Sequence, residues 1–256
     1  MAGDRSIRLA GISKTFVARG ESFTALDDIS LDCAPGSFTA LIGPSGCGKS
    51  TILRLALGLD QPDSGDIRIG GLTSRQATAS GDTGVAFQDA ALLPWRSVEG
   101  NVALPIDVLG KPRAEFTGRI AELIELVGLK GFEKSLPGEL SGGMRQRASI
   151  ARALVTRPGI LFLDEPFGAL DQILRRQMNI ELQRIWSESK ATTLLVTHGI
   201  DEAVFLADRV VVMQSRPGRI TSIIEVPFAR PRDKTLFTNP AFHDLNDRVT
   251  KALHGG

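Results

Sequence analysis

Residues 38–58 read FTALIGPSGCGKSTILRLALG, and this stretch limits the possible folds more than any other. A short apolar run, suited to a buried strand, leads into G-x-x-x-x-G-K-[ST] and then into helical apolar spacing that ends near Gly58. The motif covers Gly43, Pro44, Ser45, Gly46, Cys47, Gly48, Lys49, Ser50 and Thr51. Glycines let the backbone curl until several N–H groups face one anion, and the helix N-terminus adds partial positive charge. Lys49 then sets an ammonium against the β- and γ-phosphates of a nucleotide, and Ser50 offers a hydroxyl to Mg²⁺. Cys47 reads either as a small space-filler or as a thiol activated by the helix N-terminus.

A second apolar run, GILFLDEP at residues 159–166, ends in two adjacent acids. A continuous apolar run of this length suits a parallel strand buried on both faces. Ligands of open α/β sheets sit at strand carboxyl ends. Asp164 is then placed to hold Mg²⁺ through water, and Glu165 to polarise a water for attack on the γ-phosphate. The plainer alternative is two carboxylates that only cap a strand.

The rest of the chain alternates strand and helix patterns, which predicts a three-layer α/β core. The first 42 residues read as short strands broken by Asp, Pro and Gly. TGVAFQ reads as a buried strand. Residues from Ser97 to about Gly138 read as helical pieces broken at Gly110, Pro112 and Gly128, with Ser97 as a cap. A helix follows and stops at Pro158. QILRRQMNIELQRIWSES is an amphipathic helix, ATTLLVTH a strand, and a short helix starts at Ile200. A strand, RVVVM, and a β pair around GRITSIIEV come next. From Pro227 the chain is polar with scattered Phe and Pro, and reads as a tail over the surface. The division expected is one domain over residues 1–230, with a helical insertion at about 97–157, and a tail over 231–256.

Composition excludes several classes. Among 256 residues, 30 basic and 29 acidic side chains give a net charge of +1, so no basic excess marks a nucleic-acid binder. Cys33 and Cys47 have no metal-ligand spacing and suit a reduced compartment. The N-terminus lacks the apolar core of a secretory signal, and no apolar run approaches the ~20 residues of a membrane span.

LSGGMRQR, Leu140–Arg147, is a second glycine-led helix start, with Ser141 as N-cap and Gly142 and Gly143 offering N–H groups outward. One nucleotide has no evident need of two such helix ends from one chain. Lying between the phosphate loop and the acidic strand, the octapeptide resembles the signature of ABC-type ATPases. Phe87–Gln88, GALD at Gly168–Asp171 and VTH at Val196–His198 extend that resemblance over nearly the whole chain. It implies an α/β fold: a P-loop NTPase core of ABC ATPase type, with an N-terminal antiparallel β subdomain and a helical insertion. It also implies ATP and Mg²⁺ as ligands, and a head-to-tail homodimer. Leu140, Ser141, Gly142, Gly143 and Met144 of one chain would close on the ATP of the other. Gln88 would reach the metal and the attacking water. His198 would contact the γ-phosphate and assist Glu165, and Asp171 would organise the dimer seam. An aromatic residue near the first strand stacks on adenine in this family. The chain has no Tyr, so Phe16 is the candidate, with a core role as its rival and Phe23 as the second choice. Two positions depart from the common pattern: Gly199 stands where many relatives have Asp, and Met144 where Gln is common.

QDAALLPWRS, residues 88–97, places Leu92, Leu93 and Trp95 beside the glutamine. The stretch resembles the nitrate, sulfonate and taurine branch of importer cassettes. It implies a groove for a helix of a separate membrane permease there, although Trp95 packing the insertion onto the core is the alternative. The implied assembly is two cassettes, two permease subunits and, indirectly, an extracytoplasmic solute-binding protein, at the cytoplasmic face of the membrane and without nucleic acid. A thiamine-precursor pyrimidine is a further solute class. A soluble ABC protein acting on nucleic acid or ribosomes is the competing class; such proteins usually carry long coiled coils or two cassettes.

Overall fold

The computed structural model describes residues 4–18 and 20–255. The outermost boundaries of the expected division, residues 1 and 256, therefore lie outside the described residues. Two strands open the chain, β1 (Ile7–Ala18) and β2 (Glu21–Cys33), paired antiparallel. They are longer than the short strands that the sequence suggests. Their register shifts between Leu9 and Thr15, and Gly11 and Asp28 take left-handed backbone conformations there. Such bulges break the alternation of apolar residues without ending the strand. With β4 (Ser64–Ile69) and β5 (Leu72–Thr73) they form a four-stranded sheet in the order β2-β1-β4-β5. Between them in sequence lie β3 (Phe38–Ile42) and α1 (Lys49–Ala56), on either side of the phosphate loop.

A short helix that the sequence reading lacks, α2 (Ser74–Ala79), leads to β6 (Thr83–Ala86). Helices α3 (Val98–Val102), α4 (Leu104–Val108) and α5 (Thr117–Leu126) follow, then α6 (Gly142–Leu154). Then come β7 (Ile160–Asp164), α7 (Gln172–Ser189), β8 (Thr192–Val196), α8 (Ile200–Leu206), β9 (Arg209–Gln214) and β10 (Arg219–Glu225). The second sheet runs β10-β9-β3-β8-β7-β6, parallel except for β10. Strands β3, β7 and β8 are buried at every position, as strands covered on both faces must be. Strand β6 lies at the sheet edge and alternates, so TGVAFQ is less enclosed than its composition suggests.

Residue alternation along the central strands separates two cores. Phe38, Ala40, Leu161, Leu163 and Leu195 point toward the helical side, where α3 to α9 pack. Leu41, Phe162, Leu194 and Val196 point toward α1 and the antiparallel sheet.

The segment after Pro227 is not a surface tail. It includes α9 (Pro240–His254), whose Phe242, Leu245 and Val249 are buried in the helical-side core. Asn239 caps this helix and Pro240 occupies its first turn, a favoured start. Arg232 is only 4% exposed, and its guanidinium donates to the carbonyls of Val204, Phe205 and Ala207 at the end of α8. These are the orphan acceptors that any helix end must place somewhere. Burial pulls the Arg232 pKa down to about 10, with Arg230 pushing the same way and Asp208 opposing, which leaves it cationic.

Candidate active site

The phosphate loop is shaped by two close approaches. Gly48 has φ 94°, and a Cβ there would collide with the Leu26 side chain. A Cβ on Gly43 would come within 2.6 Å of Cys47 Sγ and 2.7 Å of the Met213 carbonyl oxygen. Gly48 is therefore demanded by space as well as by dihedral angle, and Gly43 by space alone. Lys49 is 7% exposed and its Nζ donates to the carbonyls of Gly43 (2.7 Å) and Pro44 (3.1 Å). The ammonium thus sits over the loop, beside the first free N–H groups of α1. Cys47 is fully buried, so its side chain fills space and the reactive-thiol alternative loses its required access.

Next to the loop lies a cleft of about 380 Å³. Its floor is Ser45, Gly46, Gly48, Lys49, Ser50 and Thr51, and its far wall is Gln88 and Glu165. Phe16 and Phe23 face each other as register partners on β1 and β2, and both line this cleft. At 37% and 47% exposed, neither is a core residue, so the rival core reading of Phe16 fails. The Lys14 ammonium lies 5.4 Å from the centroid of the Phe16 ring, so a flat base would stack on the face that Lys14 does not cover.

Ser50 and Asp164 meet at the carboxyl end of β7, with Oγ donating to Oδ1 at 3.2 Å. Burial pushes the Asp164 carboxyl up, and the nearby Glu165 charge adds to that, while the Ser50 bond and Lys49 oppose it. A buried carboxylate with a hydroxyl beside it is a partial oxygen set for a hard cation. Among the described residues no three His, Cys, Asp or Glu side chains gather into a metal cage. The Ser50–Asp164 pair is a set that could serve Mg²⁺, which usually takes one or two carboxylates with phosphates and water completing its shell.

Glu165 has φ 45°, a left-handed conformation unusual for a non-glycine residue. Such strain costs roughly 1–3 kcal/mol and persists where the surroundings fix it. Here the Glu165 N–H donates to the Val196 carbonyl at 2.8 Å, and its own carbonyl accepts from the Gly168 N–H at 3.1 Å. The turned backbone aims the carboxylate along the sheet edge. Gln88 Nε2 donates to Glu165 Oε2 at 3.3 Å, and His198 Nδ1 lies 3.3 Å from the same oxygen. The three side chains follow the carboxyl ends of β7, β6 and β8, adjacent in space but 110 residues apart in sequence at their extremes.

The other glycine-led helix start stands apart from this cleft, which none of Leu140, Ser141, Gly142, Gly143 or Met144 lines among the described residues. Ser141 caps α6, its Oγ accepting from the Met144 N–H at 3.2 Å. Ser141 and Gly142 are exposed, Met144 is half-buried against the core and Leu140 is buried. A Cβ on Gly143 would come within 2.9 Å of Leu170, so the GALD segment packs directly against this helix start. Asp171 caps α7, with Oδ1 accepting from the Leu174 N–H at 3.0 Å.

The three apolar residues after Gln88 separate. Leu92 packs on the core and Leu93 is half-buried, while Trp95 is 72% exposed. The alternative of Trp95 packing the insertion onto the core is thereby excluded. Ser97 Oγ accepts from the Gly100 N–H at 3.1 Å and caps α3.

Three residues that the sequence reading overlooks hold this loop. Buried Gln146, on α6, donates to the Phe87 carbonyl at 2.9 Å. Arg152 donates to the carbonyls of Ala90 (2.7 Å) and Ala91 (2.8 Å). Asn101 is fully buried, accepts from the Leu93 N–H at 2.7 Å and donates to the carbonyls of Leu93, Arg96 and Ser97. The one signal in the sequence is a polar residue at a buried helical position, visible only once the helix face is known.

A family model described as ABC transporter matches residues 26–168. The chain is 45% identical over 237 residues to the aliphatic sulfonates import ATP-binding protein SsuB of Bacillus subtilis, covering 92% of this chain and 89% of that one. It is 42% identical over 252 residues to the uncharacterized ABC transporter ATP-binding protein MJ0412 of Methanocaldococcus jannaschii, covering 96% and 94%. Against the nitrate import ATP-binding protein NrtC of Synechococcus elongatus it is 46% identical over 239 residues, 91% of this chain but 36% of that longer one. Among solved structures, the ATP-binding cassette MJ0796, dimeric and bound to ADP and Pi after hydrolysis, superposes with a TM-score of 0.79 at 29% identity, covering 87% of this chain and all of that one.

Proposed function

The chain belongs to the ABC transporter family of ATP-binding proteins, and from that premise we propose that it is the ATP-hydrolysing subunit of an importer with a separate membrane permease. The observation that carries the reading is the convergence of the phosphate loop, Asp164, Glu165, Gln88 and His198 on one cleft edge. The solute class is nitrate, sulfonate or taurine, or a thiamine-precursor pyrimidine. Relatives named as sulfonate and nitrate import subunits support the sulfonate and nitrate members of that set, and weigh against a soluble protein acting on nucleic acid or ribosomes. No helix among the described residues is long and apolar enough to cross a membrane, so contact with the bilayer would run through the permease, at its cytoplasmic face.

In this reading adenine stacks on Phe16, with Phe23 beside it, and the triphosphate lies along Gly43–Thr51. Lys49 moves its ammonium from the loop carbonyls to the β- and γ-phosphates. Ser50, Asp164 through water, and Gln88 are the residues that would hold Mg²⁺. When bound, the metal supplies positive charge to the phosphate oxygens. Glu165 takes a proton from the attacking water. Gln88 and His198 both approach its Oε2, which leaves Oε1 to face that water. The helix end exposed at Ser141 and Gly142 has no place in its own chain's cleft, which supports its use against the ATP of a second copy.

The test is Glu165→Gln, which keeps size but cannot accept a proton. We expect ATP binding to persist, turnover to fall by about 10²–10⁴ and a dimer to accumulate with Mg·ATP in light scattering. Normal turnover in this variant would refute the assignment. Co-purification of a membrane permease with the chain tests the transport reading separately; ribosomes or nucleic acid in its place would sink it.

A further inference from the structure

His198 is exposed at the end of a buried strand, followed by a glycine, and needs something to fix its ring against Glu165. The backbone supplies part of this: the Thr197 N–H donates to the Leu41 carbonyl at 3.2 Å. The rest comes from the side chain of Glu202. Glu202 is 4% exposed, on the first turn of α8. Its Oε2 accepts from the Thr197 hydroxyl at 2.7 Å. The same hydroxyl accepts from the Gly199 N–H at 2.9 Å. The bonded residues, Thr197 and Gly199, are the two immediate neighbours of His198.

The arrangement is a variant of a helix capping box. In the usual form an acid at the third helical position reaches back to the N-cap N–H. Here Gly199 is the N-cap and has no side chain to contribute. Glu202 reaches instead to the hydroxyl of Thr197, and that hydroxyl holds the N-cap N–H. The carboxyl also closes the space behind the loop: a Cβ on Gly199 would come 3.3 Å from Glu202 Oε2 and 3.4 Å from Thr197 Oγ1. Gly199 itself has φ −85° and ψ 110°, which any residue adopts, so its backbone does not set the loop shape. Burial of Glu202 is costly, because its Oε1 has no partner among the described residues. A surface helix cap would have been available without that cost.

The geometry points to Glu202 as a positioning residue for ATP hydrolysis: through Thr197 it brackets the backbone on both sides of His198 and holds the imidazole against Glu165. This rests on the reading of His198 and Glu165 given above. It assigns no contact between Glu202 and nucleotide.

The test uses steady-state Mg·ATP hydrolysis by the full chain, with thermal unfolding as a folding control. Glu202→Ala should lower kcat by about tenfold or more while KM for ATP stays within about twofold, the pattern of an interaction realised in the transition state. Glu202→Gln, which can still accept from Thr197, should retain most of kcat. In a His198→Ala background, Glu202→Ala should add less than about a twofold further loss, because a residue acting only through another is silent in its absence. Thr197→Val, which keeps volume and removes the hydroxyl, should copy Glu202→Ala, and Thr197→Ser should not. If Glu202→Ala fails to fold, the Thr197 pair decides. Wild-type kcat in Thr197→Val, or losses that multiply fully in the double variant, overturns the proposal. If His198→Ala alone hydrolyses normally, the assignment of His198 falls first, and that outcome is distinct from His198→Ala being impaired with Glu202→Ala additive to it.

Discussion

A carboxyl group enclosed like that of Glu202 binds its proton more tightly in the folded chain than in the unfolded one. Burial is the main cause, Glu165 adds to it, and the Thr197 bond and Arg175 oppose it; together they push the pKa up from 4.5 to about 7. The sign of the stability effect follows. Below pH 4.5 the group is protonated in both states and contributes in full. Between 4.5 and 7 the unfolded chain releases the proton while the folded chain keeps it, so stability falls as pH rises. Above about 7 the loss is complete, at roughly 3 kcal/mol as an upper figure. Replacing the carboxyl by an amide removes this dependence. Glu202→Gln should therefore gain on the wild type between pH 5 and pH 8 in urea unfolding, by up to about that amount. Parallel pH curves for the two proteins would show that Glu202 ionises at its ordinary value. The same scale explains Cys47: the tight curl at Gly43 and Gly48 that frees backbone N–H groups turns the thiol inward.

The loop from Gln88 to Ser97 is irregular, yet it is fixed like an element. Gln146 and Arg152 of α6 and Asn101 of α3 hold its carbonyls, while Leu92 roots it in the core. Of its large apolar side chains, Leu92, Leu93 and Trp95, Trp95 alone is left out in solvent. A rigid loop with one exposed aromatic is economical as a contact, since little ordering entropy remains to be lost. Trp95→Ala should change stability by no more than about 0.5 kcal/mol, as for a surface side chain. Permease binding should weaken by at least about 2 kcal/mol, roughly 30-fold, as for an interface hot spot. Isothermal measurements with the co-expressed permease, beside basal hydrolysis of the isolated chain, distinguish the two effects. Equal permease affinity would remove Trp95 from the contact. At this scale the sequence misleads in two places for different reasons. The bulges at Gly11 and Asp28 interrupt the period of β1 and β2. Helix α9, by contrast, carries its signals openly in Asn239, Pro240 and the spacing of Phe242, Leu245 and Val249. The segment is missed because the polar residues of its solvent face give it the composition of a loop, although the spacing itself is plain.

In the whole molecule the two glycine-led helix ends face different surroundings. The end of α1 opens into a cleft with two phenylalanines and the acidic strand end, while the end of α6 is exposed at Ser141 and Gly142. A second copy is the natural owner of the phosphate that α6 would meet, in keeping with the dimeric solved cassette that superposes on this chain. Ser141→Arg should leave nucleotide binding by the monomer within about twofold, since the site is remote from its own cleft. It should abolish ATP-driven dimerisation in the Glu165→Gln background, where like charge and bulk meet the partner's loop. A dimer of unchanged stability in sedimentation would show that α6 does not face the partner's nucleotide.

Local chemistry was legible in the sequence wherever one short stretch contains all of it. The phosphate loop and the acidic strand end each combine a fixed spacing with one local conformation, so spacing suffices to mark them; the capped helix at Ser141 is marked as a helix start by its residues and as a signature by resemblance. The tertiary structure decided what no spacing encodes. It set Phe16 and Phe23 at the cleft wall, brought Gln88 and His198 onto one oxygen of Glu165, and left Trp95 exposed while burying Glu202. The reason is physical: which side chains share a cleft, and which lose water, depends on how strands far apart in the chain lie side by side in the sheet. Strand order β8-β7-β6 makes neighbours of the segments that carry residues 198, 164 and 88, and β3 leads through the phosphate loop to residue 50 on α1.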